Sequence, residues 1–244
     1  MELNIVWLYP DTMNLYGEYA NLTVLCRHLR ALGVRVGVEE ITQEIPGNFI
    51  GSTGFVYMGA GTERAQKAIL PGLVAQGDSL REAVSQGMPV LFTGNAMETL
   101  WASITDTTGK VWEGLGLAGF TTEETDKRVP GDVIALPELW ETPVVGFMNK
   151  CSVTHGVDSP LFPSLSLGFG NEKMLGSEGH VSGNLFATHL TGPILVKNPD
   201  FTDLLIRRIF AYKGWELPET LPVLPHEREA YEVTLKELRA QVGA

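Results

Sequence analysis

Across the first hundred residues, short apolar runs alternate with one amphipathic helical stripe, and that alternation restricts the fold more than any other feature. Residues 3–9 are a short apolar run closed by Pro10 and Asp11, which reads as a buried strand. Leu22, Leu25, Leu29 and Leu32 then recur at steps of three and four, which is one face of a helix, and Gly33 ends it. Residues 34–38 alternate like a second strand, and residues 55–58 form a third that runs into Gly59-Ala60-Gly61. A helical stretch is predicted from about Glu63, broken near Pro71-Gly72 and resumed around residues 80–84. Residues 89–93 are a fourth strand, and residues 95–101 look like the start of another helix. Strands and helices in this order predict an α/β fold: a mainly parallel sheet with helices on both faces. Such sheets bind ligands beyond the carboxyl ends of their strands. The turns at 9–16, 59–63 and 93–97 are therefore the places to look for a site.

The second half is patterned differently. Residues 132–136, 144–147, 165–169 and 185–190 read as short strands between Gly, Pro, Asn and Ser turns. Phe201, Leu204, Leu205, Ile209 and Tyr212 make an amphipathic helix introduced by Asn198-Pro199-Asp200. A Pro-rich linker, 218–225, leads to a tail, 226–244, whose apolar stripe is Tyr231, Leu235, Leu238 and Val242. No composition break demands a second domain. The expectation is one domain over 1–244, with the second half extending the same sheet and the tail packed on it as a solvated helix.

Charge and cysteine content exclude several classes of function. The net charge of −11 argues against a surface that grips nucleic-acid phosphates. Two cysteines, Cys26 and Cys151, make no disulfide framework and suit a reducing compartment. No apolar run is long enough to span a bilayer, and the amino terminus lacks the pattern of a signal peptide, so the expectation is a cytoplasmic chain without membrane insertion. No His, Cys and carboxylate set has metal-ligand spacing, so neither a metal nor a cofactor is expected.

The turn after the fourth strand, Thr93-Gly94-Asn95-Ala96-Met97-Glu98, is where α/β enzymes place a nucleophile, because a sharp strand-to-helix bend exposes one side chain beside free backbone N–H groups. The alternative is a plain tight turn in which glycine supplies an unusual backbone angle. Gly59-Ala60-Gly61 lacks both the Lys-Ser/Thr ending of a P-loop and the third glycine of a dinucleotide fingerprint.

A family resemblance runs in order along nearly the whole chain. It is carried by Asn14-Leu15-Tyr16-Gly17 with Asn21, Gly59-Ala60-Gly61-Thr62-Glu63-Arg64, Gly87-Met88-Pro89 and Glu113-Gly114-Leu115-Gly116. It continues through Arg128 with Gly131-Asp132-Val133, Val145-Gly146-Phe147 with Asn149, Gly168-Phe169-Gly170-Asn171, and Gly192-Pro193-Ile194-Leu195 with Lys197-Asn198-Pro199. On these stretches the chain resembles the class I glutamine amidotransferases of the cobyric acid synthase-like branch, which have a flavodoxin-like fold. Within them it looks most like the GatD type, the small subunit of lipid II isoglutaminyl synthase. The resemblance implies a cysteine thiolate that attacks the glutamine side-chain amide, a late histidine that moves protons, and ammonia passed to a Mur-ligase-like (MurT-type) partner. It also implies an oxyanion hole from backbone amides at Gly59, Ala60, Gly61 and Asn95, and an arginine, here Arg128, on the substrate α-carboxylate.

The two residues that would do the chemistry are absent at the matching positions. The cysteine position falls on Gly94, or on Thr93 with a one-residue slip, and the family's following glutamine falls on Glu98. The histidine position is Thr191, while His189 stands where the family has an aromatic residue. Two residues apart on a strand share a face, so His189 is expected on the same cleft, displaced by about 6–7 Å. Glycine offers no nucleophile, and threonine no group that titrates near neutral pH. The leading expectation is a GatD-like subunit without glutaminase activity. Two alternatives stand beside it. One is an active glutaminase or other hydrolase with a rearranged site using Thr93, Thr191 or Cys151. The other is a binding module for glutamine or another small carboxylate through Arg128. The remaining candidates are expected to be structural: Cys151, near His155, as a loop cysteine, Cys26 as a buried helix residue, His180 in a turn, and His28 and His226 at a helix surface and a helix start.

Overall fold

The computed structural model describes residues 1–43, 51–224, 226–241 and 243. Pro225, Val242 and Ala244, counted above in the linker and tail, lie outside the described residues.

The first half folds as its alternation requires. Strand β1 (Glu2–Leu8) leads through helix α1 (Tyr19–Ala31) to β2 (Arg35–Ile41) and then β3 (Thr53–Met58). Helices α2 (Glu63–Ala75) and α3 (Gly77–Ser85) follow, then β4 (Val90–Thr93). Gly33, just past α1, has φ +77°, the left-handed conformation that stops a helix most cheaply at glycine. The break predicted at Pro71 does not occur. Helix α2 runs through Pro71 to Ala75, because Leu70 and Leu73 on either side are buried in one apolar cluster.

The sheet order is β10-β11-β4-β3-β1-β2, where β10 is His180–Ser182 and β11 is Leu185–Thr188. All neighbours are parallel except β10, which pairs antiparallel with β11 at one edge. Successive strand residues point to opposite faces. Leu3, Ile5, Phe55, Tyr57, Leu91 and Phe186 pack with Leu22, Leu25 and Leu29 of α1 and with Leu205 and Ile209 of α5 (Pro199–Lys213), which follows the short α4 (Ile194–Lys197). Val6, Leu8, Val56, Met58, Val90 and Phe92 pack on the other face with Leu70 and Leu73 of α2 and Leu80 and Ala83 of α3. Every residue of β3 and β4 is buried, as a central strand covered on both sides demands. Each large apolar side chain so buried contributes about 1.5–3 kcal/mol.

The second half joins this sheet only through β10 and β11. The remainder forms a separate sheet of β5 (Ser103–Thr105), β6 (Val111–Glu113), β7 (Thr121–Leu136), β8 (Val144–His155) and β9 (Ser164–Leu167). Two of the short strands expected here are the ends of a long hairpin, β7 and β8, of 16 and 12 residues. The charged run Glu123–Arg128 hid most of β7, because it offers no apolar alternation. Its ladder with β8 is irregular between Glu124 and Val129. Core residues of this sheet, Val133, Val144 and Met148, pack in the same cluster as Leu3 and Ile5.

Helix α6 (Glu227–Gln241) lays Tyr231, Leu235 and Leu238 on Ile134 and Val145 of the second sheet. Tyr231 also donates a 2.8 Å hydrogen bond to the Pro143 carbonyl. His28, expected at a helix surface, is 2 % exposed and lies 2.9 Å from Glu227 at the start of this helix. His180, expected in a turn, is a buried strand residue packed edge-on against Trp101 and Phe120. His226 is exposed immediately before α6.

Candidate functional site

The turns beyond β1, β3, β4 and β11 converge with β7 and β8 around a cavity of about 170 Å³. Its wall includes Tyr16, Gly61, Thr62, Glu63, Gly94, Asn95, Glu98, Glu124, Arg128, Lys150, Cys151, Ser152, His189 and Thr191. The predicted loops therefore do meet at one cleft. The two sheets also meet there, which no local sequence signal announced.

Residues 94–100 are a run of 3-10 turns rather than the expected α-helix, and all but Asn95 are buried. Gly94 has φ +60°, so the chain bends sharply straight out of β4. A Cβ placed there would lie 2.4 Å from the Ala60 Cβ and 3.2 Å from both the Ala60 Cα and the Thr191 Cγ2. Contacts between carbon atoms are ordinarily about 3.5–4.0 Å. The space for a side chain at this bend is thus already taken by Ala60.

Beneath the bend, Thr93 donates its hydroxyl to the Glu18 carboxylate, so it does not face the cavity as a free nucleophile. Glu18 is fully buried and also accepts from Tyr57 Oη at 2.6 Å, Asn21 Nδ2 at 3.1 Å and the Gly192 amide at 3.2 Å. Burial pushes its carboxyl above the usual range, and these hydrogen bonds oppose the rise. Glu18 thereby ties the first turn, the β4 bend and the segment after Thr191 together.

The amides expected to receive an oxyanion are partly engaged. Asn95 Oδ1 accepts from the Gly61 N–H at 2.9 Å, and Gln66 Nε2 donates to the Asn95 carbonyl at 2.6 Å. Gly59 packs against Met13 and Glu18, and Ala60 gives its carbonyl to the Leu15 N–H at 2.8 Å.

Arg128 reaches the cavity rim from the irregular part of β7, but its guanidinium is held by protein. It lies 2.6 Å from Glu63 Oε1 and donates to the Asn149 carbonyl at 3.2 Å. Cys151 is a strand residue of β8, not a loop cysteine. Its thiol donates to Glu63 Oε1 at 3.1 Å. Burial first, and then the Glu63 carboxylate, push that thiol up to about 12, which keeps it from forming a thiolate. His155 points elsewhere, towards Glu123 and Glu172.

The densest chemistry lies deeper, and only part of it was anticipated. His189 is 1 % exposed and stands between two buried carboxylates. Its Nδ1 is 3.2 Å from Glu178 Oε1, and its Nε2 is 3.4 Å from Glu98 Oε1, within ion-pair distance but off-line for a hydrogen bond. Glu178 further accepts from the His189 backbone N–H at 2.7 Å and from Thr188 Oγ1 at 2.6 Å. Glu98 accepts from Ser152 Oγ and from Gln66 Nε2 at 2.8 Å. Burial alone would raise the Glu98 carboxyl, but the facing His189, Ser152 and Gln66 outweigh it and hold it below the usual range. Lys150 Nζ donates to the carbonyls of Gly170 and Asn171 at 2.8 and 3.0 Å. Burial brings this lysine down to about 8 against the pull of Glu178 and Glu98. Glu98 and His189 were each singled out in the sequence by the resemblance. Their contact was not, because they are 91 positions apart in sequence. Ser152, Lys150 and Glu178 carried no signal. Among the described residues no group of three or more His, Cys, Asp or Glu is arranged to hold a metal ion. No described helix is long and apolar enough to cross a membrane.

Residues 4–199 match the CobB/CobQ-like glutamine amidotransferase domain. The chain belongs to that family. It is 31 % identical over 213 residues to the lipid II isoglutaminyl synthase (glutamine-hydrolyzing) subunit GatD of Staphylococcus aureus, covering 87 % of this chain and 86 % of that protein. The Streptococcus pneumoniae subunit of the same name is 27 % identical, covering 84 % of this chain and 79 % of that protein. A crystal structure of a glutamine amidotransferase superposes with a TM-score of 0.54 at 14 % identity, covering 84 % of this chain and 98 % of that one, a likeness of fold. The chain is thus a GatD-like member of the amidotransferase family, with the expected α/β architecture.

Proposed function

We propose that this protein is a GatD-like subunit that has lost glutamine hydrolysis and acts as a structural or regulatory partner of a Mur-ligase-like (MurT-type) protein in lipid II amidation. One observation carries the proposal. The bend that would present the nucleophile carries Gly94, and the space for its side chain is filled by Ala60. Two further features agree with it. The Gly61 amide is engaged by Asn95 Oδ1, and the position of the proton-transferring histidine is Thr191, which has no group to act as a base. Thioester chemistry needs a thiolate, and Cys151 is held as a thiol by burial and Glu63. The two free cysteines suit a reducing cytoplasm, where such a ligase would work.

The test has two arms. Ammonia release from glutamine is measured with the purified chain, alone and with its ligase, and none is expected above the rate without protein. Affinity purification from the native host is expected to bring down a Mur-ligase-like protein. Glutamine-dependent ammonia release would refute the loss of activity, and failure to capture a ligase would refute the partner role.

A further inference from the structure

Strand β2 ends one side of the first sheet and pairs only with β1. It runs for seven residues, and of these Ile41 alone is buried. The opposite edge strand, β10, is three residues long, and its Val181 already gives its N–H to the Ser159 carbonyl at 2.9 Å. A long open edge is a template for a further strand.

The direction of its backbone groups can be read from the ladder. In a parallel pair the N–H and C=O of one residue point the same way, and successive residues alternate. Arg35 donates its N–H to the Met1 carbonyl at 3.0 Å, and the Ile41 carbonyl accepts from the Tyr9 N–H at 2.7 Å. The odd-numbered residues of β2 therefore serve β1, and Val36, Val38 and Glu40 aim their backbone groups outward. The Val36 carbonyl meets the exposed Arg30 side chain at 3.4 Å. The outward groups of Val38 and Glu40 have no partner among the described residues.

The side chains decide what fits there. Laid antiparallel on itself about Gly37, β2 sets Val36 opposite Val38 and Arg35 opposite Glu39. Val36 and Val38 both point their backbone groups outward, so each such pair can exchange both N–H···O=C bonds. It would also cover Val38, which is 40 % exposed. Arg35 and Glu39 lie on the other face, with Cβ atoms about 4.5–5.5 Å apart across the strands, where opposite charges attract. A slip of two residues puts Val36 opposite Glu40 and Arg35 opposite Ile41, and loses both matches. Charged residues on an edge ordinarily deter pairing. Here their spacing favours one register. Arg35 is free to re-pair, because its contact with Glu2, at 3.2 Å, joins side chains that are 82 % and 72 % exposed.

We propose that β2 pairs antiparallel with β2 of a second copy of this chain, forming a two-fold dimer with one sheet running through both molecules. No β2 residue lines the cavity, so both clefts stay open, and the inference is independent of whether the cleft hydrolyses glutamine.

Sedimentation equilibrium of the full chain at up to about 100 µM tests it, since a dimer of micromolar affinity is mostly assembled there. The parent is expected to dimerise. Val38→Pro removes an outward N–H that the single copy does not use, and should give a monomer with an unchanged circular dichroism spectrum. Arg35→Glu and Glu39→Arg each set like charges opposite one another, and each should weaken the dimer about 10-fold. The double variant Arg35→Glu/Glu39→Arg reverses both charges and should restore it. If Val38→Pro unfolds, the charge-reversal set decides alone. A parent that stays monomeric would overturn the proposal. So would a dimer that persists in folded Val38→Pro, one that neither single reversal weakens, or a double variant no tighter than the single ones. A monomeric parent whose capture of a ligase is lost in Val38→Pro would give this edge to the ligase and overturn it too.

Discussion

Installing a cysteine at the bend tests the central steric argument directly. In Gly94→Cys the new Cβ would sit 2.4 Å from the Ala60 Cβ, more than an ångström inside an ordinary contact. Overpacking of this kind costs about 1–3 kcal/mol. The φ of +60° at Gly94 adds the left-handed penalty of a non-glycine residue, about 1–2 kcal/mol. The sum is about 2–5 kcal/mol. A chain of 150–250 residues loses about 2–4 °C of unfolding temperature per kcal/mol, so the shift should be on the order of 4–20 °C. Ala60→Gly alone removes a methyl group and should cost about 0.5–1 kcal/mol through backbone freedom. In the double variant, Ala60→Gly should return the overpacking part and leave the backbone strain. The double variant should therefore be more stable than Gly94→Cys, a coupling that independent sites do not show. Thermal unfolding followed by circular dichroism on all four proteins measures it. If Gly94→Cys unfolds within a degree or two of the parent, or if Ala60→Gly gives it no relief, Ala60 does not close the position and the steric reasoning is wrong.

Other consequences follow from the same geometry. Gly94→Cys, with or without Ala60→Gly, should release no ammonia from glutamine, since Thr191 supplies no base; activity in either variant would show that another group moves the proton. Cys151 should be alkylated by iodoacetamide at pH 8 much more slowly than an exposed thiol. Glu63→Gln should speed the reaction by removing the carboxylate that helps hold the thiol up at about 12, and an unchanged rate would contradict that cause. Lys150 is protonated at pH 7 in both folded and unfolded chains, and the fold bears the cost of the buried charge. Between about 8 and the ordinary 10.5 the unfolded chain keeps a proton that the folded chain releases, so this residue's contribution to stability rises with pH, by about 3 kcal/mol over the full interval. The stability difference between the parent and Lys150→Met, from urea titrations at pH 7 and pH 10, should move in that direction, and a flat difference would refute it. Leu235→Ala removes a contact of α6 with Ile134 and Val145 and should cost about 2 kcal/mol in urea, at the low end for a core leucine because the site is at the rim. An unchanged midpoint would mean that α6 is not held by this cluster.

By itself the sequence determined the parallel sheet, the helices on its two faces, the turns that border the cleft and the residue types, Gly94 and Thr191, on which the proposed loss of activity rests. Those are local properties. Residues 55–58 and 89–93 are continuous apolar runs because both faces of a central strand are covered, Gly33 stops a helix because it tolerates a positive φ, and a missing side-chain type is legible anywhere. Long-range contact decided the rest. The charged run in β7 became strand only by pairing with β8, His28 and His180 became core residues only once α6 and Trp101 covered them, and Pro71 stayed helical because its neighbours were packed. The site followed the same division. Gly94 and Thr191 could be named from the chain, but the closure of the bend by Ala60, the engagement of Arg128 by Glu63, and the meeting of Glu98 with His189 between two carboxylates could not. A residue's type sets what it can do. Which atoms stand within 3 Å of it decides what it does, and for these residues those atoms come from distant parts of the chain.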